Sequence, residues 1–223
     1  MPIQLRDRTE AGRRLAAELA PHAGRSDVVV LALPRGGVPV AFEVAQRLQA
    51  PLDVFVVRKL GVPGHQELAM GAIASGGVRV INPGLVRQLG IADAAVEQVT
   101  AEETRELERR EREYRGGRAP APVRGRTVIL VDDGLATGST MVAAIEALRL
   151  QDPARIVVAA GVGAAQTCAA LSGVADDCVC ALQPTMLDSV GRWYGDFSQT
   201  TDAEVRDLLA RAGQERPQPA PSR

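Results

Sequence analysis

The chain has 223 residues and 46% of them are hydrophobic, which suffices for one substantial core, or one domain with an accessory flap, without disulfides. Its 26 basic and 27 acidic side chains nearly balance, which excludes nucleic-acid binding by bulk charge and favours a small-molecule partner. Because the sequence shows no charged-then-apolar leader and no apolar run of membrane length, we expect a cytoplasmic protein.

The first half of the chain predicts alternating strands and helices. Apolar residues at helical spacing over 7–20, with Asp7 and Glu10 as an N-cap signature, predict a first helix. DVVVLAL at 27–33 predicts a buried strand, which runs through PRGG into the helical pattern VPVAFEVAQRL. LDVFVV predicts a second strand, and short strands are expected at MGAIAS and VRVI. The glycine-rich connection at about 59–71 is too long for a simple hairpin and predicts a mobile lid.

The second half adds a charged insertion and three more strands. Over about 83–117 the charges lie four residues apart, as in Glu106 with Arg110 and Glu108 with Arg112, which favours a solvated helix over a nucleic-acid surface. The remaining patterns are a strand at 127–131, the helix MVAAIEALRL, the strand RIVVAAGV, a short helix at 164–171, the strand DCVCAL, the helix TDAEVRDLLARA, and a proline-rich tail at 214–223 that we expect to be disordered.

The three cysteines are Cys168, Cys178 and Cys180, and the last two occupy alternate positions of a predicted strand. Their number is odd and no second pair stands at zinc-ligand spacing. We therefore expect buried, reduced thiols rather than a metal site or a disulfide.

Buried strands that alternate with helices predict an α/β fold, a doubly wound and mostly parallel sheet, in a single domain over 1–213. Ligands of such sheets lie beyond the carboxyl ends of the strands, where the strand order reverses. PRGG, the pair Arg58–Lys59 and the segment DDGLATGST all follow predicted strands. Three polar motifs are thus expected at one edge of the sheet.

The segment VILVDDGLATGST at 128–140 carries the most specific chemistry. Small residues before a helix present N–H groups and hydroxyls to a phosphate, and the helix N-terminus adds partial positive charge. The glycine spacing matches neither a dinucleotide fold nor a P-loop. Two acids beside a phosphate cradle suit vicinal ribose hydroxyls or hydrated Mg²⁺, so the pattern predicts a ribose 5-phosphate ligand.

Four apolar residues, two acids and a T-G-x-T loop resemble the 5-phosphoribosyl 1-pyrophosphate (PRPP) signature of type I phosphoribosyltransferases. The resemblance follows the element order from Val28 to about Leu209, and it is strongest to less-characterised bacterial members with PRGG early and WYxxFxQ late. It implies the type I phosphoribosyltransferase fold, with a small hood that includes about 183–200 and an inserted charged helix.

The resemblance also assigns roles to individual residues. It places Asp132 and Asp133 on the ribose hydroxyls, with Mg²⁺ carried by PRPP nearby. It identifies PRGG as a diphosphate loop that contains a non-proline cis peptide, and Arg58–Lys59 as the start of a flexible catalytic loop, with Glu67 on the lid. The implied PRPP-binding residues are Arg35, Gly36, Gly37, Asp132, Asp133, Ala136, Thr137, Gly138, Ser139 and Thr140, and the implied catalytic residues are Lys59, Arg58, Asp133 and Glu67.

Lys59 is also the only lysine in the chain. A compact, mobile ammonium would suit a charge that builds on a departing diphosphate, although a solvated loop lysine is the plain alternative. Trp193, the only tryptophan, would lie in the hood. Stacking on a flat base and plugging the space under the last helix both stay open for it, and the plug is the commoner fate.

Two positions depart from the family pattern. Gly134 stands where an aliphatic residue is usual, so we expect a looser loop. Ala136 stands where hypoxanthine-type enzymes carry an acid, so we expect hypoxanthine and guanine to be poor acceptors.

The resemblance implies transfer of the phosphoribosyl group from PRPP to a nitrogenous base, with Mg²⁺ and release of pyrophosphate. A regulatory protein that senses PRPP or a nucleotide stays open. PRPP synthesis would need a duplicated, ATP-binding domain, which we do not expect because the sequence shows no repeat and is short for that. We expect no nucleic-acid or membrane partner, and a homodimer stays open.

Overall fold

A computed structural model describes residues 4–214. Its centre is a five-stranded parallel sheet in the order β2-β1-β6-β7-β8. The chain moves from β1 outward to β2, returns to the other side of β1 as β6, and continues outward through β7 to β8. The strands are β1 (Val28–Ala32), β2 (Leu52–Val54), β6 (Thr127–Leu135), β7 (Arg155–Gly163) and β8 (Asp177–Leu182).

Helices cover both faces of this sheet, because neighbouring strand residues point to opposite sides and both sides are apolar. In β1, Val28 and Val30 belong to one buried cluster, while Val29 and Leu31 belong to the other. On the first face lie α1 (Arg8–Glu18), α2 (Gly37–Leu48) and α7 (Asp202–Gln214), and on the second lie α5 (Ser139–Arg149) and α6 (Ala165–Leu171). The predicted doubly wound α/β fold is confirmed.

The N-cap prediction for the first helix is also confirmed. Asp7 Oδ1 accepts a hydrogen bond of 2.8 Å from the backbone N–H of Glu10, and Glu10 Oε2 accepts one of 2.6 Å from the N–H of Arg6. The acid at the third helical position therefore satisfies a donor just outside the helix, and α1 begins at Arg8.

The segment expected to be an irregular lid forms a second, antiparallel sheet instead. It contains β3 (Val57–Val62), β4 (His65–Ala74) and β5 (Val78–Ile81) in that order. Gly64, with φ of 80°, supplies the left-handed residue of a tight turn between β3 and β4. The connection was expected to be too long for a simple hairpin, but Gly61 and Gly71 lie in the paired strands β3 and β4, whose register shifts around Gly61.

The charged insertion is helical, as predicted, and contains α3 (Pro83–Gln88) and α4 (Asp93–Arg115). Glu106 pairs with Arg110 at 2.7 Å on its outer surface. The helix is not solvated all round, because Arg115 is buried and its Nε donates to Asp53 of β2 at 3.0 Å. This pair fixes the end of α4 to the edge of the large sheet.

The hood segment at 183–200 contains one short 3-10 helix, Val190–Trp193. The predicted disordered tail lies outside the described residues, except for Gln214 at the end of α7. Within residues 4–214, every helix is too short or too polar to cross a bilayer.

Candidate active site

The strand order reverses between β1 and β6, which makes the carboxyl ends of these two strands the expected ligand crevice. PRGG follows β1 and leads into α2, whereas the acid pair lies in the last half of β6, and the loop after this strand leads into α5. Because α2 and α5 cover opposite faces of the sheet, their N-termini diverge here and leave a crevice between the PRGG loop and the loop at 136–138.

The PRGG loop contains a cis peptide bond between Pro34 and Arg35, which confirms the non-proline cis bond that the resemblance implied. Its two glycines lie against the acid pair. A Cβ on Gly36 would fall 1.9 Å from Asp133 Oδ2, and one on Gly37 would fall 3.0 Å from the Cα of Asp132. Any side chain at these positions would drive the two loops apart.

Arg35 is partly exposed, and its guanidinium lies 3.9 Å from Asp202 at the start of α7. The same Asp202 oxygen accepts a hydrogen bond of 2.7 Å from the Tyr114 hydroxyl. Burial, together with the hydrogen bond to Asp202, raises the pKa of Tyr114 to about 12, so this hydroxyl keeps its proton. The start of α7 therefore joins the PRGG loop to the end of α4.

The two acids lie inside strand β6, which continues to Leu135 rather than ending at residue 131 as predicted. Asp132 Oδ1 accepts the backbone N–H of Asp133 at 2.8 Å. Burial raises the pKa of the Asp132 carboxyl well above its ordinary value, and the charge of Asp133 raises it further. The pair thus offers one carboxyl that resists ionisation and one carboxylate with a cationic partner.

That partner is Arg8, which sequence reasoning missed. Its Nε and Nη2 approach Asp133 Oδ2 at 2.9 and 2.8 Å, and its Nη1 donates to the carbonyl oxygen of Ser198 at 2.7 Å. The guanidinium also lies 4.1 Å from the ring centroid of Phe197. The first helix and the hood therefore meet at an acid of the central motif.

A second hood contact fixes the backbone of the same acid. The hydroxyl of the buried Tyr194 donates to the carbonyl oxygen of Asp133 at 2.7 Å. A Cβ on Gly161 would come within 1.9 Å of this hydroxyl, so only a glycine at this position of β7 leaves space for the Tyr194 hydroxyl. Burial raises the pKa of Tyr194, and the negative Asp133 raises it further, which keeps the phenol a donor.

The loop between β6 and α5 has the features of an anion cradle. Ala136, Thr137, Ser139 and Thr140 are exposed, while Gly138 adopts φ of 72° and caps the first turn of α5. The hydroxyls of Thr137 and Ser139 lie 3.2 Å apart. Thr167 of α6 supports the loop from behind, because its hydroxyl donates to the Ala136 carbonyl at 2.9 Å.

Gly134 does not loosen this loop, contrary to expectation. It lies within β6 and pairs with Val162 of β7. A Cβ at Gly134 would fall 2.2 Å from Cγ1 of Val190, so a hood side chain fills the space of the missing one. Gly134 is required because the hood packs tightly on β6 at this position, and it does not make the following loop more flexible.

Arg58 and Lys59 lie on opposite faces of β3 rather than in a loop. Arg58 Nε donates to Glu103 of α4 at 2.6 Å. Lys59 is exposed and shares the face of Val57, which packs against the cluster on the α5 side. Among residues 4–214, no carboxylate forms an ion pair with Lys59. Glu67 is also exposed, in the part of β4 that contains the register shifts.

Trp193 is partly buried and packs against the cluster on the first face of the sheet. Its carbonyl oxygen accepts the backbone N–H of Leu5 at 2.9 Å. These contacts agree with the plug interpretation, whereas the buried aromatic ring nearest to the acids is that of Tyr194.

The structure thus brings together PRGG, the acid pair and the phosphate loop, and it adds Arg8, Tyr194, Val190 and Thr167. Only the hood pattern WYxxFxQ hinted at any of these four, because Tyr194 belongs to it. No local pattern marks Arg8, since it lies 125 positions from its partner Asp133.

Comparison with known proteins agrees with this geometry. The family model described as "Phosphoribosyl transferase domain" matches residues 4–182. Two proteins of Mycobacterium tuberculosis, from strains CDC 1551 and H37Rv, are each named "Putative phosphoribosyl transferase" and are 49% identical over 206 residues. The match covers 92% of this chain and 46% of each relative, so the chain spans about half the length of these relatives.

A solved structure has the same fold over nearly the whole chain. The crystal structure of TT1426 from Thermus thermophilus is 42% identical and superposes with a TM-score of 0.82. The match covers 93% of this chain and 98% of the Thermus chain.

Proposed function

Because the chain belongs to the phosphoribosyl transferase domain family, we propose that it transfers the 5-phosphoribosyl group of PRPP to a nitrogenous base and releases pyrophosphate. One observation carries the proposal. At the switch point of the sheet, the diphosphate-type loop of Gly36 and Gly37 touches the acid pair that leads directly into the phosphate cradle. Diphosphate, ribose and 5-phosphate of a single ligand would need these three neighbours in that order.

The acid pair fits a magnesium ion that arrives with the substrate rather than a preformed cage. Asp132 and Asp133 supply carboxylate oxygens, which Mg²⁺ prefers. Asp132 Oδ1 already accepts a backbone N–H, and Asp133 Oδ2 already pairs with Arg8. Mg²⁺ commonly binds to one or two carboxylates together with substrate phosphates and water, and when bound with PRPP it would neutralise charge on the departing diphosphate.

The residues of the chain act by position and charge in this proposal. The cradle from Ala136 to Thr140 holds the 5-phosphate at the N-terminus of α5. The acids Asp132 and Asp133 accept hydrogen bonds from the ribose hydroxyls. The loop amides after the cis peptide hold the diphosphate. Arg35 and Lys59 strengthen their contacts with it as the bond to C1 breaks and negative charge builds up.

We propose a positioning role for Arg58, whereas the resemblance implied a catalytic one. Its ion pair with Glu103 fixes the small sheet to α4, so we assign it to holding the position of β3. Closure over the substrate would then move the β3–β4 hairpin as a unit and exclude water from the reacting carbon. Glu67, in the irregular part of that hairpin, stays a candidate for proton transfer with the acceptor.

The acceptor side of the crevice is bounded by the hood. Val190 lies over Gly134, and Ala136 offers no group that exchanges a proton. We therefore propose that 6-oxopurines are poor acceptors and that Mg²⁺ and PRPP are used with another flat nitrogenous base.

Pyrophosphate release tests the proposal directly. The protein, PRPP and Mg²⁺ are incubated with purine, pyrimidine and pyridine bases, and release above the rate without a base is expected for at least one. If PRPP binds but no base in the panel supports release, the sensor interpretation replaces the transferase. Efficient turnover of hypoxanthine or guanine would refute the acceptor proposal alone.

A further inference from the structure

The three cysteines of the chain come together where α6 packs against β8, next to Gly163 of β7. Cys178 and Cys180 occupy alternate positions of the edge strand β8, and Cys168 lies on α6. All three Sγ atoms are within 4.8 Å of one another. Cys168 is buried, as expected, whereas Cys178 and Cys180 are only partly buried. Their grouping depends on how α6 packs against β8.

We propose that Cys168, Cys178 and Cys180 form a three-thiolate binding site for a soft d¹⁰ cation, best satisfied by Cu(I). The site is separate from the crevice of the proposed function and does not depend on it.

The spacing of the sulfurs suits such a cation. A metal–sulfur bond of about 2.3 Å places the three sulfurs of a trigonal site about 4 Å apart. The closest pair, Cys168 Sγ and Cys180 Sγ, is 2.8 Å apart, and no pair exceeds 4.8 Å. Side-chain rotations that separate one pair by about an ångström would produce the trigonal arrangement.

The donor set selects the kind of metal. Thiolates are soft ligands that favour Cu(I) and Zn²⁺ over Mg²⁺ or Ca²⁺. Zn²⁺ sites in proteins are almost always four-coordinate, and among the described residues the group holds three cysteines without a histidine or carboxylate. Three thiolates complete a trigonal shell for Cu(I), whereas Zn²⁺ would still need a water.

The surroundings of the group allow both access and a fixed shape. Cys178 and Cys180 are partly exposed, while Cys168 is buried. The sulfurs of Cys168 and Cys180 lie against the backbone of Gly163, where a Cβ would come within 2.5 and 2.6 Å of them. A cation can therefore enter from the outer side of β8 while the β7 backbone forms the floor of the site.

A disulfide between Cys168 and Cys180 is the competing hypothesis. Cys178 distinguishes a disulfide from a cation site. A disulfide leaves Cys178 unused, whereas a trigonal cation needs it. Binding of a cation also releases the thiol protons to solvent, so a proton count accompanies the metal count.

The test is a Cu(I) titration of the reduced full chain under anaerobic conditions, in competition with a chromophoric Cu(I) chelator. We expect one Cu(I) per chain, with ultraviolet absorption from sulfur-to-copper charge transfer. Cys178→Ser should weaken Cu(I) binding at least a hundredfold, and Ala181→Ser, on the other face of the same strand, should leave the affinity unchanged. Thermal melts of each variant show that it is folded.

Two results would overturn the proposal. One is a wild-type affinity for Cu(I) no higher than that of the folded variant in which all three cysteines are serine. The other is an unchanged affinity in Cys178→Ser, which would reduce the site to the pair Cys168 and Cys180. If the protein shows no such Cu(I) affinity but forms a disulfide with peroxide, the proposal is also overturned, and the cysteines are a redox pair instead.

Discussion

Asp133 Oδ2 accepts a hydrogen bond from Nε of Arg8 at 2.9 Å and forms an ion pair with its Nη2 at 2.8 Å. These contacts link the acid pair of β6 to the first helix. The side chains of Arg8 and Asp133 are only 12% and 16% exposed, so water screens their attraction weakly. The pair places the Asp133 carboxylate against Gly36 of the PRGG loop.

Removing Arg8 should destabilise the fold, because it leaves a mostly buried carboxylate without its partner. We expect Arg8→Ala to lower the free energy of unfolding by about 2–4 kcal/mol in urea titrations. The control is Arg25→Ala, because the side chains of Arg25 and its partner Asp27 are 46% and 45% exposed, and it should cost much less stability than Arg8→Ala. Equal losses in the two variants would show that the Arg8 pair has no special role.

The packing of Val190 over Gly134 gives a second prediction. Gly134→Ala places a methyl group where the Val190 side chain lies, and overpacking of this kind costs about 1–3 kcal/mol. Val190→Ala alone removes two methyl groups, but combined with Gly134→Ala it should recover most of the lost stability. A double-mutant cycle measures this coupling, and strictly additive losses would contradict the contact.

The raised pKa of Asp132 predicts that its effect on stability depends on pH. Its folded pKa is raised, so its favourable contribution is fully present below its ordinary pKa of 3.8 and is lost as pH rises towards the folded value. Asp132→Asn keeps the oxygen that accepts the Asp133 N–H and does not ionise. The variant should melt above wild type at pH 8, and each kcal/mol gained adds about 2–4 °C. The gain should vanish near pH 4, and a gain independent of pH would refute the shift.

Lys59 distinguishes a transferase from a sensor. A cation that acts mainly as charge builds on the diphosphate should affect turnover more than binding. We expect Lys59→Ala to lower turnover about a hundredfold or more with PRPP affinity unchanged within a few fold. Arg79→Ala, in β5 of the same sheet with Glu97 as its partner, is the control and should keep wild-type turnover. Full turnover in Lys59→Ala would remove Lys59 from the mechanism.

Local patterns were sufficient for the doubly wound sheet and for the PRGG loop and the loop after the acid pair at its switch point, but they misplaced Arg58 and Lys59, which lie in β3 of the second sheet. The segments 28–32 and 128–131 are continuous apolar runs, as strands buried on both faces require. The extension of β6 through Asp132 and Asp133 was not visible, because acids in a strand are uncommon. It depends on pairing with β7, as between Gly134 and Val162.

The remaining parts of the site come from contacts between distant segments. Arg8 with Asp133, Val190 over Gly134, and Cys168 with Cys180 each require two elements to pack in one particular way. The hairpin of β3 and β4 was missed for a different reason. Its glycines resemble those of a loop, and only the antiparallel partner strand accounts for them.

Isothermal titration of PRPP with Mg²⁺ into wild type and Asp133→Asn tests the central claim most directly. Asp188→Asn, an exposed acid in the hood segment, serves as the control, and thermal melts confirm that each variant is folded. We expect Asp133→Asn to weaken PRPP binding at least tenfold, about 1.4 kcal/mol, while Asp188→Asn binds as wild type does. Unchanged PRPP affinity in a folded Asp133→Asn protein, or no binding to wild type at all, would contradict the assignment of this crevice to PRPP.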